Sequence, residues 1–86
     1  MSEADAASAE QLVEELRKAR VEELLVHTCS LLASLAYGKL EVQDLDQARL
    51  AIDALKALQP VVPQDAGREL QGVVASLQLA FADAAR

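Results

Sequence analysis

The chain has 86 residues, 52% of them apolar, with Tyr37 and Phe81 as its aromatic side chains and fourteen acidic against eight basic residues, for a net charge of −6. That length suits one domain with one modest core, which has to be built from Leu, Val, Ile and Ala, a composition for helices. A chain this acidic is repelled by a phosphate backbone, so nucleic acid is not an expected partner.

Residues 1–7 are small and acidic and are expected to form a disordered N-terminus, leaving 8–86 as a single helical domain. The first residues lack the basic and apolar regions of a signal peptide, so secretion is not expected. Ser8 with Gln11 reads as a capping box that opens a weakly amphipathic helix, in which Ala9, Leu12, Leu16 and Ala19 share a face. The basic cluster Arg17, Lys18 and Arg20 is offset by Glu14, Glu15, Glu22 and Glu23, which makes it a solvated surface. At about 100° per residue this stripe is offset by about 120° from the apolar stripe that follows. Either the helix bends or breaks near Arg20, a break being the favoured reading, or its two halves face different partners.

Residues 21–37, VEELLVHTCSLLASLAY, predict a helix that is apolar around most of its circumference. Val21, Leu24, Leu25, Thr28, Leu31, Leu32 and Leu35 make one broad face, and Val26, Cys29, Ala33, Ala36 and Tyr37 extend it. Glu23, His27, Ser30 and Ser34 form a narrow polar stripe suited to fixing the register of a helix pair. Such a helix is expected to be covered on more than one side, as a core helix or a subunit interface. Its apolar run, about 14 residues interrupted by His27, Ser30 and Ser34, is short of the roughly 20 that span a bilayer. Cys29 lies within the run and has no second cysteine for an intrachain disulfide, which fits a reducing cytoplasm, with an intermolecular bridge as the minor alternative.

Gly38 is the expected left-handed residue that ends this helix, followed by a connection over residues 39–43. Asp44 with Gln47 caps the next helix, Leu45–Leu58, whose buried face is Leu45, Ala48, Ala51, Ile52, Leu55 and Leu58. Its wet face carries Asp46, Arg49, Asp53 and Lys56, spaced for weak intrahelical ion pairs. Pro60 and Pro63 bracket a rigid linker. A last helix runs from near Asp65 to about Ala84, with Ala66, Leu70, Val73, Val74, Leu77, Ala80 and Phe81 on one face. Leu79 projects from its opposite side beside Gly72, Ala75 and Ala82, and Leu50 does the same on the preceding helix. Both suggest helix contacts outside the main face. The expected fold is therefore all-α: a small antiparallel bundle of three main helices plus a weaker N-terminal helix, completed by dimerisation.

Residues that carry chemistry are sparse. His27 and Cys29 sit about 200° apart on one helix and cannot close on a single metal. His27 with Ser30 or Ser34 lacks a nucleophile elbow and an oxyanion hole, so no catalytic residue is assigned. There is no phosphate loop, no EF-hand pattern and no aromatic stacking platform. No metal or cofactor is expected.

The blocks EELLVHTCSLLASLAYGKL, LDQARLAIDALKALQPVV and LQGVVASLQLAFADA, and within them LDQAR at Leu45 to Arg49 and SLQLAF at Ser76 to Phe81, resemble a family of short all-helical bacterial proteins, mainly actinobacterial, catalogued as a domain of unknown function. The resemblance covers roughly residues 22–84. It implies an all-helical cytoplasmic protein in a housekeeping setting such as translation, and no activity to carry over. The expected function is a protein-interaction module of unidentified partner, most simply a homodimer joined through Val21, Leu24, Leu25, Thr28, Leu31, Leu32, Leu35 and Leu79. Its rivals are a carrier of a small apolar ligand held between Leu24, Leu31, Leu35 and Phe81, and a peripheral membrane module using the same helix.

Overall fold

The computed structural model describes residues 3–86 as four α-helices, α1 (Glu3–Lys18), α2 (Val21–Glu41), α3 (Leu45–Leu58) and α4 (Gln64–Ala84), with a 3-10 turn at Gln59–Val61 between the last two. The fold is all-α, with no strand among the described residues. Helix α1 starts at Glu3, so residues 3–7 extend it; the expected start at Ser8 lies inside the helix. Alanine-rich sequence favours helix there. Met1 and Ser2, the rest of the expected disordered segment, lie outside the described residues.

The break expected near Arg20 is present. Ala19 and Arg20 are non-helical, and Arg20 takes an extended conformation (φ −90, ψ 140) before α2 begins. Among the described residues, helix α1 packs against none of α2, α3 or α4. Its apolar side chains Leu12, Val13 and Leu16 are all exposed.

Helix α2 does not end at Gly38. It runs one further turn to Glu41, Gly38 is ordinary helix, and the left-handed residue is Gln43, at φ 61. The turn closes with a Schellman pair of hydrogen bonds: the Asp44 N–H donates to the Lys39 carbonyl (2.9 Å) and the Gln43 N–H to the Leu40 carbonyl (3.1 Å). The extra turn is held by Leu40, which is buried; stopping at Gly38 would have left it outside the core. Asp44 caps α3 as expected, its Oδ1 accepting from the Gln47 N–H at 3.4 Å.

Helices α2, α3 and α4 enclose one core. It contains Cys29, Ala36 and Leu40 of α2, Ala48, Ala51, Ile52 and Leu55 of α3, and Leu70, Val74 and Leu77 of α4, with Val62 closing the end beside the 3-10 turn. Leu55 and Leu77 are its largest fully buried side chains. The expected apolar faces of α3 and α4 are thus the ones that pack. The intrahelical pairs expected of Asp53 with Arg49 and Lys56 are not formed; the ion pairs of the described residues are Arg17 with Glu14, Arg20 with Glu22, Lys39 with Asp44 and Arg86 with Asp83.

Two stability measurements follow. Leu55→Ala leaves a cavity at the centre of the core and lowers unfolding free energy by about 2 to 5 kcal/mol in denaturant titration, whereas Leu12→Ala on the undocked α1 changes it by less than about 0.5 kcal/mol. Gln43→Gly removes the cost of a left-handed residue bearing a side chain and raises the melting temperature, by an amount equivalent to about 1 kcal/mol.

Candidate association surface

The apolar circumference of α2 divides into two faces. Leu25, Cys29, Leu32, Ala33, Ala36 and Leu40 turn inward, and Leu25 and Leu32, both expected at a subunit interface, are half-buried against the chain's own core. They form the inner edge of the face expected at an interface. The broad face read from the sequence is wider than one helix pair can use, and its inner edge is taken by α3 and α4. The outer edge stays open: Leu24 is 54% exposed, Leu31 58% and Leu35 50%, with Val21 and Val42 more exposed still and Thr28 half-buried between them.

These outward residues follow a regular order. Val21, Leu24, Thr28, Leu31, Leu35, Gly38 and Val42 succeed one another at spacings of three and four, the repeat that aligns side chains along one seam of a helix pair. The line is centred about 110° round α2 from its inward face. None of its members is charged. His27 and Ser34 flank it and are exposed, while Ser30 turns its hydroxyl back to donate to the Val26 carbonyl at 3.2 Å.

The structure does not join Leu79 to this line. Leu79 is 72% exposed on the outer side of α4, about 200° round that helix from the fully buried Leu77. Nor do Leu24, Leu31, Leu35 and Phe81 converge on a ligand cavity. Phe81 lines a cleft of about 340 Å³ between α3 and α4, together with Arg49, Ile52, Asp53, Lys56 and Gln78. A separate open groove of about 300 Å³ runs between α2 and α4, lined by Val26, Cys29, Ala33, Val62, Leu70 and Val73 among others. The outward leucines of α2 line neither.

Electrostatics at α2 is local. The Glu22 carboxyl is held below its ordinary range by its backbone N–H at the helix start and by the Arg20 guanidinium, 3.5 Å away. Burial pushes the Cys29 thiol up. With its folded value above the unfolded one, this thiol contributes stability that is full below the ordinary thiol range and is lost as pH rises through the folded value. His27 and Cys29 are placed on different sides of α2, one exposed and one buried. Among the described residues, no three His, Cys, Asp or Glu side chains cluster as metal ligands, and no helix is long and apolar enough to cross a membrane.

Comparison with protein-family profiles, with curated proteins and with solved structures found no match for this chain. The family resemblance therefore rests on its helical blocks alone.

The buried thiol gives a direct check. In the folded protein Cys29 reacts with a disulfide reagent at mildly alkaline pH much more slowly than in denaturant, because its thiolate is scarce and its sulfur covered. Equal rates in the two states would show Cys29 to be open to solvent.

Proposed function

We propose that this protein is a helical interaction module that associates with itself, most simply as a homodimer, through the outward line of α2. The observation that carries this reading is the exposure of Leu24, Leu31 and Leu35 along one uncharged seam of three-and-four spacing. Scattered exposed leucines are ordinary on a monomer; a row of them at helix-pairing spacing is the pattern that a partner helix covers. A shared, reducing cytoplasm fits the single buried thiol, and the family resemblance adds a housekeeping setting such as translation. A carrier of a small apolar ligand is less well supported, because Leu24, Leu31 and Leu35 face outward while Phe81 lines a cleft on the other side of the bundle.

Burying the exposed half of each of these leucines returns about 1 kcal/mol apiece, against an association cost of several kcal/mol. Self-association through α2 is therefore concentration dependent. Light scattering across about a hundredfold dilution reads a dimer mass that declines toward the monomer at the dilute end. Leu31→Asp holds the monomer mass throughout while keeping native helicity, since the site is open on the protomer and a carboxylate is penalised only when covered. Lys56→Asp, remote from the line, keeps the wild-type mass. A wild-type chain that is monomeric at every concentration overturns the reading.

Salt gives a second test with a definite sign. Two chains of −6 repel each other, so raising ionic strength from about 0.01 M to about 0.15 M screens that repulsion and tightens the dimer. Weaker association with salt would mean that opposite charges, rather than the apolar line, hold the copies together.

A further inference from the structure

The outward line of α2 has a neighbour on α3. Leu50, Ala54 and Ala57 follow one another at spacings of four and three, continuing the same repeat on the second helix of the hairpin. Leu50 is 63% exposed, Ala57 is exposed and Ala54 is half-buried. Where these residues lie relative to α4 follows from the two clefts that α4 makes. On α3 the cleft with α4 is lined by Arg49, Ile52, Asp53 and Lys56, and the Leu50 line stands about 130° round the helix from them. On α2 the groove with α4 is lined by Val26, Cys29, Ser30 and Ala33, and the Leu31 line stands about 180° from those. Helices α2 and α3 pack against each other as an antiparallel pair joined by three residues. Helix α4 therefore covers one face of the α2–α3 hairpin, and both lines lie on the other.

We infer that the association surface is this whole hairpin face, occupied by the same face of a second copy in a two-fold pairing of four helices, with Leu50, Ala54 and Ala57 as interface residues on α3. The inference rests on the proposed self-association of α2 and extends it to a second helix. Two observations favour a second copy as the occupant. No residue on either line is charged, so a chain of −6 meets its copy without burying like charges. Leucines on α2 lie beside alanines on α3, so the face offers both protrusions and recesses, as a self-complementary two-fold interface requires.

The test compares charge insertion on α3 with the same insertion on α4. Leu50→Asp and Ala57→Glu are made in the full chain beside Leu31→Asp and Leu79→Asp, and each is followed by light scattering for mass and circular dichroism for helicity. The expected result is loss of the dimer mass with native helicity for Leu50→Asp and Ala57→Glu, as for Leu31→Asp, and an undiminished dimer for Leu79→Asp. Should either α3 variant lose helicity, the other supplies the reading, since both sites are open on the protomer. A dimer that survives both α3 substitutions but not Leu31→Asp overturns the inference and leaves the α2 line standing. A dimer broken equally by Leu79→Asp overturns it as well, and a monomeric wild-type chain overturns the underlying reading.

Discussion

The packing of α2 on α3 sets the geometry of the rest, and it is made with small side chains. Ala36, Ala48 and Ala51 have almost no exposure and sit in the core between these helices. Side chains of this size let helix axes approach toward the short end of the 8–10 Å range. Close approach makes the hairpin a narrow two-helix layer with two broad sides. One side is deep enough to take Leu70, Val74 and Leu77 of α4, and that packing supplies much of the bulk of an aliphatic core that has only Phe81 as a half-buried aromatic at its edge.

The same constraint explains the surplus on α2. Alanine contacts bury little area per residue, and apolar burial is what offsets the entropy of ordering the chain. A third helix can cover only one side of a two-helix layer. Among the described residues α1 makes no packing contact with the other helices, and the leucines on the other side face water. Because the outward residues are uncharged and regularly spaced while the charged ones gather elsewhere, the open side is a defined surface rather than a random residue of folding.

Much of this was legible in the sequence. The span of α3 follows from its cap at Asp44, the prolines beyond Leu58 and its apolar repeat, three local signals that agree. The break at Arg20 was visible as a mismatch between two stripes. What the sequence misplaced depended on tertiary partners. Gly38 has the chemistry of a helix stop, yet burying Leu40 outweighs it and moves the left-handed position to Gln43. Leu25 and Leu32 share a stripe with Leu24 and Leu31, and only the positions of α3 and α4 tell the inner pair from the outer. Leu79 looked like part of the same surface because a pattern along the chain carries no information on which face of the bundle a helix occupies. The α3 line was visible only as an isolated Leu50 until the hairpin placed it beside α2.

The tight turn between α2 and α3 bears on the order of assembly. A three-residue connection closed by two backbone hydrogen bonds carries little loop-closure entropy, and contacts so local in sequence form early when a helical chain folds. Helix α4 joins only after a longer excursion through the 3-10 turn. In that interval the hairpin is apolar on both sides at once, with one side awaiting a helix of its own chain and the other already as it will be in the finished protomer. Until α4 docks, the side it will cover is open as well, so a hairpin formed ahead of α4 exposes more apolar surface than the finished protomer and is the species most prone to aggregate.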